Sequence, residues 1–277
     1  MSEFRPGRFE ILPTVIKNLL IINALVFLAQ NTMGEFLGNP RYIEDTFALH
    51  YWGSSLFKPH QLVTHLFMHG SFGHLFTNMF TLWMFGATLE NIWGPKRFLI
   101  FYMICGLGAA LCHMGVLTYE NVRLAHDAHE FMNNPTLANF RILDDRFDLD
   151  AGSFQAEGIR TAFYAAPDNP GVIADAKVFI SDFARVYPNG ATLGASGAVF
   201  GLLFAFGYLF PNNLIYLYFL FPLKAKYFIG IIILMELFSG IQNSAGDNVA
   251  HFAHLGGVIF SYILLRIWNK KNRSHFY

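Results

Sequence analysis

The chain has 277 residues, of which 54% are hydrophobic, 14% are charged and 31 are Phe. Nineteen Lys and Arg balance nineteen Asp and Glu, so the formal net charge is zero. A charged fraction well under the ~25% of soluble proteins, with no basic excess, excludes a disordered chain and a nucleic-acid-binding surface.

The charges are unevenly placed. Residues 18–34, 59–89, 98–119, 187–223 and 248–265 carry no Asp, Glu, Lys or Arg. An apolar helix needs about 20 residues to cross the ~30 Å hydrocarbon core. The sequence therefore predicts an all-α polytopic membrane protein with six spans, at about 14–30, 72–93, 98–117, 195–211, 227–239 and 249–268. The first run lacks the short apolar core and small-residue cleavage site of a signal peptide and is read as a retained span. Cys105 and Cys112, seven apart in one uncharged run, are read as small packing residues. The aromatic stretch from Leu214 to Phe221, before Pro222, is read as interfacial or re-entrant backbone.

Residues 120–185 break the pattern, with six basic and eleven acidic side chains, and are expected to form an extramembrane insertion. Phe179, Ile180 and Phe183 give it an apolar cluster that could support partial folding. The resulting division is an N-terminal segment 1–13, a core of spans one to three at 14–117, an extracytoplasmic insertion 118–190, a core of spans four to six at 191–268, and a tail 269–277. Short-loop basic residues set the orientation. Arg5, Arg8, Lys17, Lys96, Arg97, Lys224, Lys226, Arg266, Lys270, Lys271 and Arg273 alternate to one side, against Arg41 and Lys58 on the other. Both termini are therefore expected to be cytoplasmic, in a plasma or inner membrane.

Polar groups within spans are costly, which makes them functional candidates. In Gly194-Ala195-Ser196-Gly197 a serine opens an apolar helix between glycines that leave its hydroxyl uncrowded. Free N–H groups at a helix start can hold an oxyanion. The structural alternative is a helix cap above a small-residue packing face formed by Gly197 and Gly201. A nucleophile needs a base, and Ala250-His251-Phe252-Ala253-His254-Leu255-Gly256-Gly257 opens the sixth span with two histidines. His254 is preferred over His251 because Gly257, three residues on, permits close approach to the fourth span. His74 and Asn78, four apart on one helix face, could donate to a developing oxyanion. His65 and His69 have metal-compatible spacing but no cysteine and few carboxylates nearby, and structural hydrogen bonding is the stronger reading.

Taken in order, His-Leu-Phe-Thr-Asn (74–78), Gly-Ala-Ser-Gly (194–197) and Ala-His-Leu-Gly-Gly (253–257) resemble the rhomboid family of intramembrane serine proteases. Thr64 to His69 resembles the histidine-bearing segment that leads into the family's second span. The resemblance covers roughly 14–117 and 190–268 and leaves the insertion unmatched.

It implies Ser196 as nucleophile, His254 as general base, and His74 and Asn78 as oxyanion donors beside the Ser196 N–H. It also implies Phe200 as an aromatic ring stacked on the catalytic histidine, and Gly194 as part of the substrate-binding turn. No acidic third member is implied, so the expected machinery is a Ser–His dyad. The implied partners are transmembrane protein substrates within the bilayer, with no metal and no cofactor; the oligomeric state is undetermined. Two departures stand out: His60-Gln61 replaces the family's Trp-Arg pair, and Ser261 replaces a glycine after the sixth-span motif. The rival functions are a catalytically silent rhomboid-like membrane-protein binder and a transporter using intramembrane histidines and Glu236. Internal repeats, which a transporter would show, are not seen.

Overall fold

The structure is a computed structural model and describes residues 9–149, 154–217, 221–242 and 250–273. The outer parts of the expected terminal segments, 1–8 and 274–277, lie outside the described residues.

The first span is α1 (Thr14–Phe36). Three of its polar side chains place a donor on their own backbone. Asn23, Asn31 and Thr32 donate to the carbonyls of Leu19, Phe27 and Leu28, four residues back, at 2.7–2.9 Å. This removes the cost of leaving those donors unpaired in lipid, while Asn23 Oδ1 stays buried without a partner. A short helix α2 (Tyr42–Phe47) and strand β1 (Leu49–His50) follow, then α3 (Gln61–Thr64) with a 3₁₀ turn over His65–Phe67.

The second span is α4 (Phe72–Trp93), capped by Ser71, whose hydroxyl accepts from the His74 N–H at 3.1 Å. Glu90, acidic and only 3% exposed near its end, is explained by packing. Its carboxylate accepts from the N–H groups of Val15 and Ile16 at 2.8 and 2.9 Å, where α1 has orphan donors and positive dipole character. Gly94, at φ 77°, ends the helix in a left-handed conformation, and Pro95 opens the next. Arg97 lies 4.1 Å over the Trp268 ring at this end of the bundle.

The third span extends beyond its uncharged run. α5 (Pro95–Asn133) is one helix of 39 residues, so it carries through the expected 117/118 boundary. Between Gly115 and Asn133 there is no glycine or proline to stop it. At ~1.5 Å per residue it is nearly 60 Å long, about twice the hydrocarbon thickness.

The projecting half of α5 joins α6 (Leu137–Phe147), α7 (Phe154–Ala165) and α8 (Pro170–Val186) around a second apolar core. Phe131, Phe140 and Phe163 meet there with ring centroids 4.4–5.7 Å apart. Ile180 is fully buried, and Phe179 and Phe183 pack at the margin. Arg160 donates to Asp144 at 2.7 Å, Tyr164 donates to the same oxygen, and Arg146 pairs with Asp127. The insertion is thus a folded helical unit.

Strand β2 (Ala191–Thr192) returns antiparallel to β1, pairing Leu49 with Thr192 and His50 with Ala191. The last spans are α9 (Ser196–Leu209), α10 (Ala225–Gln242) and α11 (His251–Arg273). A hairpin of β3 (Leu214–Leu217) and β4 (Phe221–Lys224) links α9 to α10, where interfacial backbone was expected. α10 is peripheral: its buried residues are Ala225, Ile229 and Gly240.

Small residues let α5, α9 and α11 approach closely. A methyl group at Gly201 would lie 2.7 Å from Cys105 Cβ, and one at Gly256 would lie 2.7 Å from Cys112 Cβ. Both cysteines are free thiols facing glycines, as their reading as packing residues anticipated. Ser261 donates to the Gly201 carbonyl at 2.8 Å, so it adds a hydrogen bond between α9 and α11.

Candidate active site

Ser196 is the first residue of α9. Before it, Gly194 has φ 126°, a conformation that favours glycine, and its N–H donates to the His65 carbonyl at 3.0 Å. This bond and the β1–β2 pairing hold the approach to Ser196 against the α3 segment. The first N–H groups of α9 have no preceding carbonyl in the helix to receive them.

His254 stands in the first turn of α11, 8% exposed. Its imidazole stacks on Phe200 with centroids 4.2 Å apart and planes 6° from parallel. Phe200 is one turn after Ser196, so the stack brings the base candidate beside the serine end of α9. The helices can approach because Gly257 faces Gly197: a methyl on Gly257 would fall 1.9 Å from the Gly197 carbonyl oxygen. Among the described residues no hydrogen bond joins Ser196 Oγ to His254, whose Nδ1 contacts Glu236 instead. His251 does not share the Phe200 stack; its ring stands 88° to that of His254 with centroids 6.4 Å apart.

His74 reaches the same point from α4. A methyl on Gly194 would lie 2.9 Å from His74 Cε1, 3.0 Å from its Nε2 and 3.6 Å from Ser196 Oγ. One turn on, Asn78 is 6% exposed, and its side-chain amide nitrogen is buried with no hydrogen-bond partner. A buried donor left unmade costs about 1–3 kcal/mol. His69 packs edge-on against His74 at 5.1 Å. Burial pushes His65 and His69 down to about 4, so both rings are neutral near pH 7, and His65 Nδ1 pairs with the Gln61 carbonyl at 2.7 Å.

Beneath the serine lies a cavity of about 20 Å³, lined by His65, His113, Thr192, Gly194, Ser196 and Gly197 among others. It has room for about one water molecule. His113 Nε2 and Thr192 Oγ1 pair at 2.8 Å on its wall.

Two features were not anticipated. Gln61 is fully buried and braces the loop before α4. Its side-chain nitrogen donates to the carbonyls of Asp45, Thr46 and Leu56, and its oxygen accepts from the His50 and Lys58 N–H groups. The second concerns the expected dyad without an acid. The Glu236 carboxylate from α10 accepts from His254 Nδ1 at 2.7 Å, and the same oxygen accepts from His251 Nδ1 at 2.7 Å. A lone glutamate in an otherwise apolar stretch was the available signal and pointed to a polar cavity or loop; its contact with the two histidines could not be read from sequence. These three side chains also form a group, among the described residues, whose donor atoms lie within 4.8 Å of one another, close enough to hold a metal ion.

The rhomboid domain family model matches residues 57–125 and 163–270. The interval it omits, 126–162, falls within the folded insertion. RHOMBOID-like protein 12, mitochondrial, from Arabidopsis thaliana is 24% identical over 262 residues, covering 95% of this chain. The chain spans about 60% of the length of that relative. With the matched segments making up well over half of its residues, this integral membrane protein belongs to the rhomboid family.

Proposed function

We propose that the chain is an intramembrane serine endopeptidase that cleaves transmembrane segments of membrane-protein substrates. The observation that carries this reading is the convergence of Ser196, the Phe200-stacked His254 and the His74 ring edge at one helix N-terminus. Ser196 Oγ attacks the scissile carbonyl while His254 Nε2 takes its proton. The oxyanion is received by the Ser196 N–H, His74 and Asn78. As the peptide C–N bond breaks, His254 returns the proton to the leaving amine, and water releases the acyl group by the reverse proton path. The water-sized cavity beside Ser196 supports that last step. α9 has 14 residues, about 21 Å of helix, shorter than the hydrocarbon core, which supports a serine below the membrane surface.

Labelling by a serine-directed fluorophosphonate in detergent tests the reading. Wild type should label, and Ser196→Ala and His254→Ala should not. Undiminished labelling in Ser196→Ala would sink it, and absent labelling in folded wild type would favour a catalytically silent family member.

On topology, both termini and the α9–α10 link are proposed to face the cytoplasmic side, with the insertion and the site opening opposite. Position 151, the middle of the insertion, lies outside the described residues, so Val178 on α8, 64% exposed, serves as the probe. Val178→Cys should react with an impermeant thiol reagent from the outer side, and Lys224→Cys only after the inner side is opened. The reverse pattern would invert the orientation.

A further inference from the structure

We propose that Glu236 is a positioning residue for His254, making the machinery a Ser196–His254–Glu236 triad whose carboxylate is shared with His251. The inference rests on the serine-protease reading and extends it. A carboxylate near neutral pH only accepts hydrogen bonds, so the 2.7 Å contact assigns the His254 proton to Nδ1. That leaves the lone pair on Nε2, the nitrogen that must accept the Ser196 proton. When Nε2 takes the proton, Glu236 faces a cation at hydrogen-bond distance in a low-dielectric site, where a fixed charge is most effective. Glu236 stays ionised throughout; the proton moves only between Ser196 Oγ, His254 Nε2 and the leaving amine.

A bridge that merely ties α10 to α11 is the plain alternative. Three observations argue for more. Glu236 is the only charged residue of α10 after Lys226, in a helix otherwise apolar and exposed over most of its length. A carboxylate at such a position is costly and is retained where it has partners and a role. The contact is made to the base's Nδ1 rather than to any backbone group, while Phe200 holds the opposite coordinate of the same ring. The second donor, His251 Nδ1, satisfies the same oxygen, which keeps the carboxylate aimed as the ring moves. Hydrogen bonding alone would be met as well by glutamine.

That difference is the test. Among the described residues, the groups facing His254 are Glu236 from α10, His251 from its own helix, and His74 and His113 from α4 and α5. α9 contributes the Ser196 hydroxyl and the Phe200 ring. The experiment follows the second-order rate of fluorophosphonate labelling of the full chain against pH in detergent, for wild type, Ser196→Ala, Glu236→Gln and Glu236→Asp. Thermal unfolding checks each fold.

Glu236→Gln is expected to lose at least about tenfold in rate, within the 10⁴-fold that the equivalent change costs in a soluble triad protease. Glu236→Asp, which keeps the charge, should restore part of that rate at each pH. A folded Glu236→Gln with the wild-type rate across the pH range overturns the triad while leaving the protease reading intact. Absent Ser196-dependent labelling in wild type overturns both. Loss of wild-type labelling on chelation, restored by Zn²⁺ and absent in His251→Ala, would assign the three residues to a metal and also overturn the proposal.

Discussion

Gly257→Ala is expected to reduce Ser196 labelling by at least about 100-fold. The added methyl would sit 1.9 Å from the Gly197 carbonyl oxygen, and neither atom belongs to a side chain that can rotate away. The two helices must therefore separate by more than 1 Å to reach ordinary contact. Overpacking of this kind costs about 1–3 kcal/mol of stability, which a bundle of this size can absorb. The chemistry cannot, because a displacement of ~1 Å between reacting groups costs about 10²-fold. The separation falls between the helix that carries the proposed nucleophile and the helix that carries the proposed base. The comparison to make is labelling rate against unfolding temperature. A Gly257→Ala protein that labels at the wild-type rate would show that α9 and α11 need not touch for function.

Asn78→Ala is expected to lower turnover of a transmembrane substrate by about 10²–10³-fold, the loss seen when one oxyanion donor is removed from a serine protease. The amide nitrogen of Asn78 is buried and unpartnered, so truncation breaks no hydrogen bond through it in the resting protein. The effect should therefore appear in kcat far more than in substrate binding, since a donor that meets only the oxyanion acts on the transition state. His74→Ala should behave similarly, and the double variant should lose less than the product of the two if both serve one oxygen. Unchanged turnover in both single variants and the double would reduce the pair to packing.

Much of this architecture was legible because a membrane leaves a helix few choices. The second span was predicted at 72–93, as α4 runs, and in the structure Ser71 and Gly94 mark its ends. The third was cut short at 117 because hydropathy reports the solvent, whereas α5 continues into water on helix propensity and the packing of Leu124, Ala128 and Phe131. The stacking of Phe200 on His254 was implied by the resemblance to the rhomboid family, and the structure has it. Glu236 was visible as a costly charge, but its contact depends on the rotation of α10 about its axis. That rotation is set by Ile229 and Gly240 packing on neighbours distant in sequence. Gln61 was hidden for a related reason: a buried amide serving five backbone groups has no signature in residue order.

The continuity of α5 has a mechanical consequence. Its first half is wedged in the bundle, with Gly106 against Leu66 and Gly108 against the Phe260 ring, while its second half forms a wall of the outer helical unit. No hinge interrupts the rod between the two. A force applied to the exposed unit would therefore be delivered as torque at α5's contacts with α11, the helix that carries His254. An unstructured tether of the same length would dissipate such a load, so this appendage is mounted as a cantilever whose root lies beside the candidate site.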